Sequence, residues 1–295
     1  MTDKPVVTDS DDARQALVMD SKRFQPPNSH SYAQSHVEAG HACTPYKSSQ
    51  VVNSIRFDLL SSDDLVQTVQ SFVDCGRSHV VHFLAVDPTV RAGRDSAYRA
   101  ELNESDLNIA DGQPIAWAVQ FNGKHTQRIA GTDAFALLCA AGLRRCYRHY
   151  LYGSTPSVVE RLEVTLRERH CEIRIVGAEA PPMGMPSDQD LASTADRIRE
   201  LKAELVWIGI GTPNQHHVAS RLRDLDAAPV ILCIGAAFDF ASDTKKRAPK
   251  WMQKAGLEWC HRLLSEPRRL APRYLLQGPS FITAVAREYI HRASK

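Results

Sequence analysis

No apolar run in this chain reaches the ~20 residues that a membrane-crossing helix needs. No stretch near the N-terminus has the apolar core of a signal peptide either. The expectation is therefore against both secretion and membrane spanning. An excess of one charge is lacking as well. Lysine and arginine total 36 against 34 acidic residues, a formal charge of +2, so no overall field selects nucleic acid or an anionic surface. Any such preference must come from local clustering. Cysteine is present without order: Cys43, Cys75, Cys139, Cys146, Cys171, Cys233 and Cys260 are odd in number, scattered, and free of C-x-x-C spacing. A disulfide framework and a zinc site are both disfavoured, and reduced thiols of a cytosolic protein are expected. There is no G-x-x-x-x-G-K-[ST] phosphate loop, and no internal repeat at solenoid spacing. What is present is 295 residues with 43% hydrophobic and 24% charged content, enough for one large or two small domains with a full core.

Up to about Gln50 the chain is rich in Ser, Asp, His, Gln and Pro without a sustained period, which reads as a flexible polar leader over 1–50 with room for a short helix at Asp11–Met19. From Val51 short apolar runs alternate with amphipathic stretches, the pattern of βα units around a mostly parallel sheet, so the fold class is α/β. Strands are expected at Val51–Phe57, His79–Val86, Leu107–Ala110, Tyr147–Tyr152, Glu172–Val176, Leu205–Ile210 and Val230–Ile234. Helices are expected at Ser62–Cys75, Pro88–Leu102, Gln113–Asn122, Thr132–Leu143, Pro156–His170, Asp188–Lys202 and Pro213–Leu225. This α/β core is expected over 51–244. From 245 to 295 the chain reads as a basic appendage of short helices separated by Pro249, Pro267, Pro272 and Pro279.

Two strand-to-helix turns share a chemistry. In LYGSTPSVVERL, Thr155 can cap a helix with Pro156 at its first position. In VWIGIGTPNQHHVASRL, Thr212 and Gln215 have capping-box spacing. Helix N-termini at the carboxyl edge of a parallel sheet gather unpaired N–H groups that suit phosphate, and Gly209 and Gly211 would let a phosphate approach the backbone. Ordinary capped turns fit the same residues. The run Gly209-Ile210-Gly211-Thr212-Pro213-Asn214 lacks the third glycine of a dinucleotide fingerprint, which weakens an NAD reading. In LNESDLNIADGQPIAW a short strand ends at Ala110 and Asp111-Gly112 opens a helix, so a carboxylate falls at the sheet's carboxyl edge, where α/β sites lie. Asp111 could equally be a helix cap. In RIAGTD, Arg128 and Asp133 form either a fold-stabilising ion pair or a ligand contact.

These segments together resemble the WecG/TagA/CpsF glycosyltransferases, which build bacterial surface and cell-wall polymers. The resemblance runs from about Val51 to Phe281 through LNESDLNIADGQPIAW, RIAGTD, LYGSTPSVVERL, IGIGTPNQ, IGAAFDFASDTKKRAPKWMQKAGLEWCHRLLSEPRRL and RYL. It implies an inverting transfer from a UDP-sugar to a membrane-embedded polyprenyl-diphosphate-linked sugar, on a Rossmann-like fold, with no cofactor and no metal. The base of the family's Asp-Gly motif is matched by Asp111. By the same resemblance, donor binding falls to Asn108, Gly112, Gln113, Arg128, Gly131, Asp133, Gly153, Gly211, Thr212, Pro213, Gln215, Gly235 and Asp239. Arg262, Arg269 and Arg273 would complete the diphosphate site. The chain departs from the family at the strand VVHFLAVDPTV, where a T-x-N pattern is usual and Phe83, Leu84 and Ala85 stand instead. Either the donor or acceptor differs, or Asp87, Asn108 or Thr89 rebuilds the pocket. Asp87 could also be a simple helix cap.

The appendage carries Lys245, Lys246, Arg247, Lys250, Lys254, Arg262, Arg268, Arg269, Arg273, Arg287, Arg292 and Lys295 against Glu258, Glu266 and Glu288. Trp251, Trp259, Leu263, Leu264, Leu270, Tyr274, Leu275 and Leu276 are interleaved with them, a composition suited to an anionic bilayer and equally to a solvated face. The expected partners are a UDP-sugar donor, a lipid-diphosphate acceptor and an anionic membrane, at the cytoplasmic face, with self-association compatible. A nicotinamide enzyme and a nucleic-acid module are the rival classes. Neither the fingerprint nor a stacking platform supports them, and no nucleic-acid partner is expected. The two D-x-D triplets, Asp188-Gln189-Asp190 and Asp224-Leu225-Asp226, fall on expected helices away from strand ends.

Overall fold

The computed structural model describes residues 48–121 and 123–293. The polar leader to residue 47, with its expected short helix at Asp11–Met19, and Asn122 lie outside the described residues. The described chain opens with an antiparallel hairpin, β1 (Ser49–Val52) and β2 (Ile55–Asp58), where a single strand over Val51–Phe57 was expected. Asn53 and Ser54 both adopt positive φ, 49° and 64°, giving the two-residue turn that right-twisted strands favour. Asn tolerates this left-handed conformation, which is why an apolar pattern continuous across it misleads.

Helix α1 (Ser62–Cys75) starts on a Ser61 capping box with Asp64 and ends on Gly76. After β3 (His79–Leu84), the single helix expected over Pro88–Leu102 is two: α2 (Val86–Arg94) and α3 (Ser96–Asn103). Asp95 divides them, because its carboxylate accepts from the backbone N–H groups of Ala97 and Tyr98 and caps the second helix. β4 (Leu107–Ala110) and α4 (Gln113–Phe121) follow. Then come α5 (Gly131–Gly142), β5 (Arg148–Gly153), α6 (Pro156–Arg169), β6 (Arg174–Glu179), α7 (Asp188–Glu200), β7 (Leu205–Gly209), α8 (Asn214–Asp224) and β8 (Val230–Cys233). The edge strand β6 begins two residues later than expected and runs to Glu179, paired with β5 only.

β3 to β8 form one six-stranded sheet in the order β4-β3-β8-β7-β5-β6, every pair parallel. The inner strands are buried on both faces, so they read as continuous apolar runs. Trp207 and Ile208 show the alternation. Trp207 packs with Phe135 of α5 and the α1 and α6 side, and Ile208 packs with Leu191, Ile198, Val218 and Leu222 of α7 and α8. Each fully buried side chain of this kind contributes about 1.5–3 kcal/mol. A third cluster joins the hairpin, α2, α3 and α4 through Val52, Ile55, Phe57, Leu102 and Val119.

Beyond β8 lie α9 (Ala237–Ala241), α10 (Lys250–Lys254), α11 (Glu258–Ser265) and α12 (Pro267–Ala293). Pro249 and Pro267 start helices as expected, whereas Pro272 and Pro279 sit inside the continuous α12. An interior proline costs about 3 kcal/mol of helix stability. Burial of Leu270 and Phe281, with Val285 packed on the third cluster, offsets this. The six described cysteines are all free, and no described helix is long and apolar enough to cross a membrane.

Candidate active site

A cleft of about 1000 Å³ opens at the carboxyl ends of β4, β3, β8 and β7, between the sheet edge and α11–α12. Phe83 and Ala85 reach it from the end of β3, Asp111 from β4, Gly211 from β7, and Ile234 and Gly235 from β8. This is the edge at which open parallel sheets bind ligands.

Asp111 lies on the cleft floor. Its backbone N–H donates to the Leu84 carbonyl at 3.1 Å, which ties the turn after β4 to the end of β3. The first turn of α4 folds onto the Gly112 carbonyl, with Ile115 N at 3.0 Å and Ala116 N at 3.3 Å. Gly112 thus holds the cap position, and the Asp111 carboxylate makes no hydrogen bond or ion pair among the described residues. Although partly reachable from the cleft, it is surrounded by protein that strips most of its hydration. This pushes its pKa from 3.8 up to about 6, against the pull of Arg262 and Arg128 and with a further push from Glu258 and Asp133. Such a carboxyl is ionised near neutrality and has an unusually high proton affinity.

The turns after β7 and β8 form the adjoining wall. The capping box expected for Thr212 and Gln215 is not formed. Helix α8 begins at Asn214 behind Pro213, with no side-chain cap. The Gln215 side chain turns inward instead, and its Oε1 accepts from the Gly235 N–H at 3.1 Å. This bond staples the two glycine turns together, with Gly235 at φ 60° in the region that favours glycine. Thr155 stands before α6 with Pro156 in the first position, as expected, but its hydroxyl meets Ser157 and caps nothing. Gly131 starts α5 against β8, where a Cβ would lie 2.9 Å from the Ile234 carbonyl oxygen; close approach explains this glycine.

Positive charge enters from two directions. Arg128 lines the cleft and pairs with Glu258 of α11 at 3.1 Å and more distantly with Asp133 at 4.0 Å. Arg247 bridges the same two acids, donating to Asp133 Oδ2 at 2.9 Å and Glu258 Oε1 at 3.0 Å. Burial raises the Glu258 carboxyl, but Arg247 and Arg128 outweigh it and hold the group ionised below its ordinary value. Arg262 lies over the Phe240 ring at 5.0 Å, and Arg269 pairs with Glu266. Asp87 is no cap: Ala85 holds that position, and the Asp87 carboxylate is engaged by Arg91 at 3.0 Å and by Gln277 of α12.

Of the residues expected at the site, the cleft brings together Asp111, Gly112, Gln113, Arg128, Gly131, Gly211, Thr212, Gln215, Gly235, Arg262 and Arg269. Asn108, Asp133, Gly153, Pro213 and Asp239 do not line it. Asn108 is fully buried in β4, donating to the Leu102 carbonyl, and Gly153 lies where β5 closes on Gly209. Asp239 accepts from Ser154 and pairs with Lys245 at 2.8 Å. The side chain of Arg273 lies outside the described residues. The sequence reading missed the apolar wall that α12 adds with Phe281, Ile282, Val285 and Tyr289, in a cleft also lined by Trp117 and Phe121 of α4. Helical spacing of these apolar residues past Pro279 was the available signal. Both D-x-D triplets lie off the cleft: Asp190 caps α7 with Ser187, Asp188 pairs with Arg221, and Asp224 pairs with Arg223. Among the described residues no three His, Cys, Asp or Glu side chains group to hold a metal ion.

A parallel α/β core with arginines and a carboxylate that has no partner among the described residues, gathered at one cleft, has the layout of an α/β enzyme with its site at the sheet edge. Residues 50–295 match the model of the glycosyl transferase WecG/TagA/CpsF family, and the chain belongs to that family. It is similar to an N-acetylglucosaminyldiphosphoundecaprenol N-acetyl-beta-D-mannosaminyltransferase of Bacillus spizizenii, 31% identical over 195 residues, 66% of this chain and 73% of that protein. A protein of the same description from Bacillus subtilis is 27% identical over 227 residues, 74% of this chain and 86% of that one. The chain is a glycosyltransferase.

Proposed function

We propose that this protein moves a sugar from a UDP-sugar to a polyprenyl-diphosphate-linked acceptor, inverting the anomeric centre, with Asp111 as general base. The observation that carries this reading is the Asp111 carboxylate on the cleft floor, without a partner among the described residues and with its pKa raised to about 6. The acceptor hydroxyl gives its proton to Asp111 as its oxygen forms the bond to the anomeric carbon, and the bond from that carbon to the diphosphate oxygen breaks. A single displacement inverts the configuration. UDP leaves with the electron pair, stabilised by Arg128, Arg262 and Arg269 and by backbone N–H groups near Gly211 and Gly235. These fixed positive groups support transfer without a metal.

The lipid-linked acceptor is supported by the two Bacillus relatives, whose names describe transfer of N-acetylmannosamine to an undecaprenyl diphosphate-linked N-acetylglucosamine. It is supported also by Leu275, Leu276, Ile282 and Ile290, all well exposed on α12. With the basic residues of α11 and α12 they suit peripheral docking on an anionic bilayer, at the cytoplasmic face where nucleotide sugars are found. Thermal shift against a panel of UDP-sugars tests the donor. A ligand at 100 times its Kd adds about 2.7 kcal/mol of stability, so at least one UDP-sugar must raise the melting temperature. Absence of any shift with UDP and every UDP-sugar refutes the reading.

A further inference from the structure

From the cleft wall at Gly235 and Gln215 a buried polar chain runs back behind the glycine turns to His216 and Tyr98. The Gln215 side chain accepts from Gly235 N–H through Oε1, at 3.1 Å. A backbone N–H only donates, so this contact fixes the amide's orientation and turns its Nε2 toward His216 Nε2, at 3.2 Å. The amide nitrogen also only donates, so His216 Nε2 must be the bare, accepting nitrogen. The ring proton is then on Nδ1, where Tyr98 Oη of α3 lies at 2.5 Å and accepts it. His216 is completely buried, with the His82 ring edge-on at 4.6 Å, and this burial, with His82 and His217 nearby, keeps the imidazole neutral. Every link has one workable polarity: Gly235 N–H to Gln215, Gln215 to His216, His216 to Tyr98.

We propose that His216 is a positioning residue which, as the Nδ1–H tautomer anchored on Tyr98, orients the Gln215 amide and so sets the spacing of the two donor-binding turns at Gly211 and Gly235. The inference rests on the UDP-sugar reading of the cleft. Without a bare Nε2 opposite it, Gln215 loses the partner that keeps its Oε1 on Gly235. The amide can then rotate, and the Gly235 N–H is left without its acceptor.

The test has two arms. In protein labelled with ¹⁵N-histidine, the His216 signals, assigned by their loss in His216→Gln, should show a protonated Nδ1 and a bare Nε2. The opposite tautomer, or an imidazolium, overturns the proposal without reference to any ligand. The second arm compares two amides. Glutamine carries an acceptor about as far out as Nε2, whereas asparagine reaches only as far as Nδ1. His216→Asn should therefore raise the Kd for UDP and the KM for the donor about tenfold, the order of one buried hydrogen bond, with kcat at saturating donor within about threefold. His216→Gln should stay within about threefold of wild type in all three. Equal effects of the two substitutions, whether both harmless or both damaging, overturn the proposal, since packing alone does not distinguish them this way. A wild-type protein with no affinity for UDP refutes the donor reading itself, a result separate from wild-type binding that His216→Asn leaves unchanged.

Discussion

Replacing Asp111 with asparagine preserves shape and removes both the charge and the basic oxygen, so it should move activity and stability in opposite directions. Loss of the general base should lower kcat by about 10²–10⁴, with UDP affinity nearly unchanged, since the proposed diphosphate contacts are Arg128, Arg262 and the glycine turns and not Asp111. Stability follows from the raised pKa. The shift from 3.8 to about 6 is worth about 3 kcal/mol at 1.36 kcal/mol per unit. The carboxylate keeps one side toward the open cleft, so about 1–3 kcal/mol is expected. The native state holds a proton that the unfolded chain gives up above pH 3.8. The wild type therefore carries no penalty below that pH, loses stability as pH climbs through about 6, and bears the full burden above it. Asp111→Asn should match the wild type near pH 4 and melt a few degrees higher at pH 7.5. Parallel thermal melts from pH 4 to 7.5, with turnover measured on the same preparations, provide the assay. Retained turnover, or a variant less stable than wild type at pH 7.5, would refute the reasoning.

The same group predicts the pH profile of wild-type kcat/KM. It should fall tenfold per unit below about pH 6 and level off above, and a flat profile from pH 5 to 7.5 contradicts a base at Asp111. Treatment with EDTA should leave transfer intact, since arginines and backbone amides are expected to carry the diphosphate; activity lost to EDTA and restored by Mn²⁺ or Mg²⁺ contradicts this. Leu275 and Leu276 are 74% and 69% exposed, so changing both to aspartate should leave the melting temperature within about 1 °C. Each buried leucine contributes about 1.5–3 kcal/mol, so affinity for anionic vesicles should drop at least tenfold in a flotation assay, and unchanged vesicle binding removes α12 from the membrane face.

The parallel sheet was legible because strands buried on both faces have no polar alternation, and Val230–Cys233 or Leu205–Ile208 can hardly be read otherwise. Asp111 was legible for a related reason: an acidic residue followed by glycine, directly after a four-residue buried strand, has to emerge at the sheet edge. Local polar signals were weaker. Asp95 caps α3 with an ordinary Asp-Ser pair inside an otherwise helical pattern, and Asn53-Ser54 turns a hairpin without the usual glycine. Pro272 and Pro279 mislead because tertiary burial of Phe281 overrides their helix-breaking tendency. Least legible were the long-range charges. Asp133 is bound by Arg247 across 114 positions of sequence, and Asp239 by Lys245, so two carboxylates expected at the donor site have protein partners. No local pattern reveals which acid meets which base. Asp111 differs because it has no such partner among the described residues.

The central claim is a single inverting displacement from a UDP-sugar onto a lipid diphosphate-linked sugar. Its most direct measurement is incubation of the full chain with a panel of α-linked UDP-sugars, UDP-N-acetylmannosamine included, and a short-chain polyprenyl-diphosphate N-acetylglucosamine on anionic vesicles. UDP release would be followed, and the product linkage read by NMR. The account predicts stoichiometric UDP and a β-linked disaccharide on the lipid, both lost in Asp111→Asn. An α-linked product, or transfer that survives the substitution, would contradict it.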